Sequence, residues 1–177
     1  MSTRITVRVY IASYREDDPL KNTALRMARR GYAKLVDPRR FKEKTLVLNP
    51  FSSIYLGSWH RQTMLEHGIL VVDASWRTLT PLKFTGFRGL HVKLPPLLPG
   101  NPVNYGKPCT LSSLEAVAAS LYITGFTEDY VKLLGLYKWM ETFHELNKEL
   151  LDAYSKAGSP GELESIILEY WPTGSPC

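Results

Sequence analysis

The sequence predicts an α/β fold. A parallel sheet is expected over residues 1–94, a Pro-rich connection over 95–110, and an all-helical segment over 111–177. Three observations carry this reading. The apolar runs Thr45-Leu-Val-Leu48 and Ile69-Leu-Val-Val72 show no polar alternation, as expected of strands buried on both faces. Helical stretches separate such runs, the pattern of parallel strands joined by crossovers. Five prolines between 95 and 108 then give way to two Ser-x-x-Glu capping signals, at Ser112 and Ser159.

In chain order, Ile5, Val7, Val9 and Ile11 alternate with polar or amphipathic residues, which predicts a strand over 4–11. An acidic, Pro-containing loop, Glu16-Asp-Asp-Pro19, follows. Thr23 is the expected cap of a short helix that stops at Gly31. The run 45–48 is a second strand, ended by Asn49-Pro50. Ser58 to His67 reads as a helix closed by Gly68, and Ile69–Val72 as a third strand ended by Asp73. His91-Val-Lys-Leu94 is a short fourth strand. Prolines 95, 96, 99, 102 and 108 exclude helix and inner strand from the next stretch, because proline fixes φ and lacks an N–H. Ser112 and Glu115 cap a helix running to Gly125, and Thr127 starts another. Met140, Phe143, Leu146, Leu150 and Leu151 mark a helix within 137–157, and Ser159-Pro-Gly-Glu162 opens the last one.

With 177 residues and 44% apolar content the chain supports a folded core. Its longest apolar run is far too short for a membrane helix. The opening residues carry no signal-peptide pattern. Cys109 and Cys177 give neither a disulfide framework nor a zinc spacing, so a reducing cytoplasm is the expected compartment. The net charge of +5 is unevenly spread. Residues 1–44 hold 12 Lys+Arg and 5 Asp+Glu, whereas residues 127–177 hold 4 and 9. A basic front of this kind suits a polyanion and equally suits an ordinary solvated surface.

No dinucleotide or Walker fingerprint, nucleophile elbow or zincin pair is present, and no metal is expected. Glu141-x-x-His144 occurs once, whereas di-iron helices need two copies. His60 and His67 read as surface or capping residues. Asp73-Ala-Ser-Trp76 stands where the most apolar strand ends, the position at which open α/β sheets bind ligands. It reads equally as a site carboxylate with a stacking aromatic, or as a helix N-cap with a core tryptophan. Asn101-Pro-Val-Asn-Tyr-Gly-Lys-Pro108 has more polar chemistry than a tether requires, and a stiff loop offers fixed backbone groups to a ligand. Arg26, Arg29, Arg30, Lys34, Arg39, Arg40, Lys42 and Lys44, with Tyr32 and Phe41 among them, match phosphate neutralisation with base stacking.

Several segments in this order resemble the small-subunit rRNA aminocarboxypropyltransferases of ribosome biogenesis. They are Asp18-Pro-Leu-Lys-Asn-Thr23, Leu48-Asn-Pro50, Glu66-His-Gly68, Val72-Asp-Ala-Ser-Trp76 and Leu94-Pro95. The segment from Asn101 to Pro108, Leu114-Glu-Ala116 and Glu145-Leu-Asn-Lys-Glu-Leu-Leu151 complete the set. The resemblance implies a SPOUT-like domain with a deep trefoil knot and a helical C-terminal domain. It implies transfer of the 3-amino-3-carboxypropyl group of S-adenosylmethionine to N3 of N1-methylpseudouridine in 16S- or 18S-type rRNA. Thr23 would hold the amino acid end of the cofactor, and Leu48, Pro50 and Trp76 would wall the adenine. Leu90, Tyr105 and Cys109 would read the adenine edge through backbone groups. Asp73 would lie near the ribose or reactive carbon and is the expected base for the N3 proton. Arg26, Arg29, Arg30, Arg39, Arg40 and Lys42 would meet the rRNA. Many relatives carry Cys and Gly around the threonine and Cys within the Asp-x-Ser-Trp motif. This chain has Asn22, Ala24 and Ala74 there, which makes cysteine chemistry at those places unexpected. Two other classes stay open: a SPOUT-like RNA methyltransferase, and a non-catalytic pre-rRNA-binding assembly factor.

Overall fold

The computed structural model describes residues 4–14 and 22–177. The acidic loop Glu16–Pro19 and the first residues of the Asp18–Thr23 segment lie outside the described residues. Among the described residues five strands, β1 (Val9–Ser13), β2 (Lys34–Val36), β3 (Thr45–Leu48), β4 (Ile69–Asp73) and β5 (Gly89–Val92), form one sheet in the order β2-β1-β4-β3-β5. Every pairing is parallel, as the uninterrupted apolar runs predict. The helices are α1 (Thr23–Arg29), α2 (Arg61–His67), α3 (Ser113–Ile123), α4 (Thr127–Leu134), α5 (Trp139–Lys156) and α6 (Pro160–Tyr170).

Successive side chains of a strand point to opposite faces, and here the two faces are covered differently. Val9, Ile11, Leu46, Leu48, Ile69, Val71 and Val92 join one large cluster with Met27 of α1, Met64 of α2 and the apolar stripes of α3 to α6. Tyr10, Ala12, Val47 and Leu70 face the other way. Among the described residues they are closed by Phe41, Phe84 and Phe87 from connecting segments and by no α-helix. One continuous core therefore runs from the strands into the C-terminal helices.

The first strand begins later than alternation predicts. Thr6 and Val7 stay out of the strand because their backbone has another partner: the buried Asp129 carboxylate of α4 accepts from the N–H groups of Thr6 (2.8 Å) and Val7 (3.4 Å). β2 lies in a segment legible only as a basic cluster, since three residues are too few to show a period. Gly89 opens β5 at φ 115°, where a Cβ would run into the Thr45 carbonyl of β3, so only glycine fits the paired edge. Thr23 is not a cap. Asn22 caps α1 by accepting from Leu25 N–H, and Thr23 is the first helical residue. In α5 the buried stripe runs Met140, Phe143, Asn147, Leu150, Leu151 and Tyr154, so Asn147 takes the inward place assigned to Leu146.

The cysteines correct another expectation. Cys109 and Cys177 form a disulfide, with Cα atoms 5.8 Å apart across a separation of 68 residues. Distance along the chain says nothing about distance in space, and the helical segment brings the tail back to the Pro-rich loop. The argument for a reducing compartment rested on unpaired cysteines and loses that support.

His60 is buried, and its Nδ1 accepts from the Gly57 N–H (3.0 Å). Burial holds the imidazole below its usual range. The unfolded chain therefore takes up this proton first, at pH about 6.5, and folding stability falls as the pH drops from there toward the lowered folded value. His60→Gln keeps an acceptor for Gly57 and should flatten the change in urea midpoint between pH 7.5 and 5. An equally steep loss in the variant would assign the acid sensitivity elsewhere.

Candidate functional site

The site is built at the carboxyl ends of β1, β4 and β3. Register places Ser13 beside Asp73 and Leu48 beside Val71. Asp73, nearly buried, ties two helices to this end of the sheet. Its Oδ2 accepts from the Asn22 amide (2.7 Å), just before α1. Its Oδ1 accepts from the Ser113 hydroxyl (3.2 Å) at the start of α3. Thr23 completes the junction, its hydroxyl accepting from Leu114 N–H (3.2 Å) and keeping its own proton to donate. Asn22, Thr23, Asp73, Ser113 and Leu114 thus form one hydrogen-bonded group.

The two readings of Asp73-Ala-Ser-Trp76 separate here. No helix starts at Asp73, so it is not an N-cap. Trp76 is 41% exposed, so it is not a core residue. Its indole N–H donates to the Leu111 carbonyl (3.1 Å), which fixes the ring while leaving a face toward solvent. Leu48 is buried beneath this end of the sheet, and Pro50 stands exposed after it.

The 95–110 loop has no regular secondary structure, yet it is held along its length. The fully buried Glu115 carboxylate accepts from four donors. These are Gly100 N–H (2.6 Å), Asn101 N–H (3.3 Å), the Asn101 amide (2.7 Å) and Ser112 N–H (3.0 Å). The buried Asn147 grips Leu98 from both sides, accepting from its N–H (2.8 Å) and donating to its carbonyl (2.7 Å). The Tyr154 hydroxyl donates to the Pro96 carbonyl (2.7 Å). Gly100 passes so close to α5 that a Cβ would lie 2.5 Å from Phe143 N. Beyond these anchors the loop exposes Val103 and Tyr105, the latter 60%.

The structure brings Thr23, Asp73 and Trp76 together, with Leu48 and Pro50 on the adjoining strand end. Leu90 stands apart. The Arg88 and Val92 carbonyls accept from Thr45 and Asn49 of the β3 side, so alternation turns Leu90 toward the same ladder. Cys109 donates its N–H to the Leu97 carbonyl (2.9 Å), which leaves only its carbonyl for a ligand. Its φ of 70° is a left-handed conformation rare outside glycine.

Topology also divides the basic cluster. Arg26 is committed internally, donating to the Leu136 carbonyl (2.8 Å) and lying 3.9 Å over the Tyr137 ring. Arg29 and Arg30 end α1, at the amino end of the sheet, whereas Arg39 and Arg40 follow β2 at its carboxyl end, the side of the site. All four, and Lys42, are exposed. Sequence reasoning missed Asn22 and Ser113 and gave Glu115 only a capping role. The available signal was Asn147, a polar residue at an inward position of a helical stripe. Among the described residues no group of His, Cys, Asp and Glu is arranged to hold a metal, and no helix is long and apolar enough to cross a membrane.

This architecture has known counterparts. A family model described as "Ribosome biogenesis protein, C-terminal" matches residues 46–171. The 16S rRNA aminocarboxypropyltransferase of Sulfurisphaera tokodaii is 41% identical over 165 residues, covering 92% of this chain and 96% of that protein. That of Methanopyrus kandleri is 40% identical over 165 residues, covering 90% and 96%. The solved structure of the SAM-dependent rRNA:acp-transferase Tsr3 from Vulcanisaeta distributa is similar with a TM-score of 0.81 and 32% identity, covering 96% of this chain and all of that one.

Proposed function

The chain belongs to this ribosome biogenesis family, and we propose from that premise that it modifies 16S-type rRNA by transferring the 3-amino-3-carboxypropyl group of S-adenosylmethionine. The observation that carries the reading is the junction at Asp73. A carboxylate, a free hydroxyl proton on Thr23 and an exposed indole stand at one sheet end, beside a loop held by Glu115. The residues fit the cofactor. Trp76, Leu48 and Pro50 supply apolar walls for an adenine, the anchored loop supplies fixed backbone groups near Tyr105, and Thr23 faces the polar end. When bound, the cofactor supplies a γ-carbon made electrophilic by its sulfonium.

The acceptor in this reading is N3 of N1-methylpseudouridine. The chain's task is positional, since the three carbons on a sulfonium differ mainly in which one faces the nucleophile. Asp73 receives the imide proton. Two of its roughly four lone-pair directions are occupied by Asn22 and Ser113, which leaves capacity for a proton. Residues 1–94 provide the sheet, 95–110 the cofactor loop and 111–177 the helical wall. The all-parallel strand order supports a SPOUT-like arrangement, with the trefoil knot as part of that reading. Work on small-subunit rRNA supports a cytoplasmic location.

The test is product analysis. Incubation with S-adenosylmethionine and small-subunit rRNA that carries N1-methylpseudouridine but no aminocarboxypropyl group should release methylthioadenosine and add an aminocarboxypropyl mass to that nucleotide. Release of S-adenosylhomocysteine would make the protein a methyltransferase instead. RNA binding with no cofactor binding would make it an assembly factor. Trp76→Ala should weaken S-adenosylmethionine binding about tenfold by titration calorimetry, matching the loss of one stacking contact of about 1.4 kcal/mol. Unchanged affinity would remove the indole from the adenine wall. Reversing Arg39 and Arg40 to Glu should weaken RNA binding and lower its salt slope by about 1.5, since each single-strand phosphate contact contributes about 0.7. Reversing Arg29 and Arg30 should do less, and the opposite ranking would put the RNA on the other end of the sheet.

A further inference from the structure

The turn after β3 carries an aromatic residue that the proposed cofactor site does not use. Phe51 is 48% exposed, immediately after Pro50 at the carboxyl end of the sheet. Burial does not hold it in place; a chain of hydrogen bonds does. Phe51 N–H donates to the Asn49 side-chain oxygen (2.9 Å), and the Asn49 amide donates to His91 Nδ1 (3.1 Å). A carbonyl only accepts, so His91 Nε2 carries the ring proton and donates it to the Phe87 carbonyl (2.8 Å). The turn is stapled to β5 again by Asn49 N–H on the Val92 carbonyl (2.7 Å) and by the Ser52 hydroxyl on the His91 carbonyl (2.8 Å). Phe84 packs against the ring in a T-shaped contact, with centroids 5.9 Å apart and planes at 67°. A T-shaped contact engages at most one face of the ring.

A lone half-exposed phenyl is ordinary at a surface; what marks Phe51 is the hydrogen-bonded turn that fixes it at the carboxyl end of the sheet, beside the proposed site. The exposed Arg39 and Arg40 follow β2, three strand spacings or roughly 14 Å from β3, so cationic and aromatic groups flank the cofactor site on opposite sides. An RNA strand crossing the carboxyl ends would meet its phosphates at one side and an aromatic face at the other. Unpaired bases are bound in this way, by stacking that every base can supply. We propose that Phe51 is the platform on which an unpaired base of the rRNA stacks as the target nucleotide enters the site. The proposal rests on the rRNA-modifying function above.

The experiment compares the wild type with Phe51→Leu and Phe51→Trp on a hairpin RNA whose loop carries N1-methylpseudouridine. RNA affinity is read by fluorescence anisotropy, S-adenosylmethionine affinity by calorimetry and turnover by methylthioadenosine release. Leucine keeps an apolar side chain against Phe84 and removes the aromatic face. The leucine variant should bind RNA about tenfold more weakly and show a raised KM for RNA, with cofactor affinity unchanged. The tryptophan variant should bind RNA at least as tightly as the wild type. Wild-type RNA affinity in Phe51→Leu would overturn the platform, and so would an equal loss of cofactor affinity, which would move Phe51 into the cofactor wall. Wild-type protein that binds the RNA without releasing methylthioadenosine would count against the transferase reading and not against stacking.

Discussion

Glu115→Ala should cost about 3–5 kcal/mol of stability and abolish cofactor binding together with it. The carboxylate is fully buried and satisfies four N–H donors from two segments, the 100–101 turn and the start of α3. Hydrogen bonds to a charged group contribute about 1.5–3 kcal/mol each, and a buried donor left without a partner carries its own penalty, partly relieved when water enters. The alanine variant strands all four donors at once and releases the loop that presents Tyr105. Glu115→Gln is the finer probe. It preserves volume but turns one acceptor into a donor facing other donors, so an intermediate loss of about 2 kcal/mol is expected. Urea midpoints at pH 7.5 measure both. A loss below about 1 kcal/mol in the alanine variant would mean that Asn147 and Tyr154 hold the loop unaided.

Asp73→Asn should slow transfer by about 10²–10⁴ while leaving S-adenosylmethionine binding within threefold, the range expected for removing a positioned base. The amide still accepts through one atom, so the link to either Asn22 or Ser113 survives. Single-turnover methylthioadenosine release at several pH values is the measurement. Loss of the base removes the lower limb of the pH–rate profile, whereas loss of a residue that only joins α1 to α3 would lower the rate equally at every pH. Full activity in the variant would free Asp73 of any chemical role.

The strand cores, the parallel sheet and the helix starts at Ser112 and Ser159 were legible in the sequence because they follow from local rules. An apolar run without alternation needs cover on two faces, and a serine before a helix satisfies an N–H in its first turn. The Ser112–Glu115 box forms as its spacing implies, while at the last helix Glu162 bonds Gly158 N–H and not the cap itself. The late start of β1 was not legible, because Asp129 competes for its backbone from 122 residues away. The three-residue β2 was too short to carry a pattern, and the exposed Trp76 had two equal readings until its neighbours were in view.

The site divides along the same line. Residue types and motifs, and through them the family, follow from the order of the chain alone, because chemistry at fixed local spacing is written along it. Tertiary structure decided which of them meet. It joined Asp73 to Asn22 and Ser113, and gave Glu115 three donors beyond its capping partner Ser112. It also engaged Arg26 with Leu136 and Tyr137, divided the remaining arginines between two ends of the sheet, and bridged Cys109 to Cys177. Each of these is a contact between segments far apart in the chain, fixed by how a parallel sheet aligns its strand ends and by where a single core leaves room for a buried polar group.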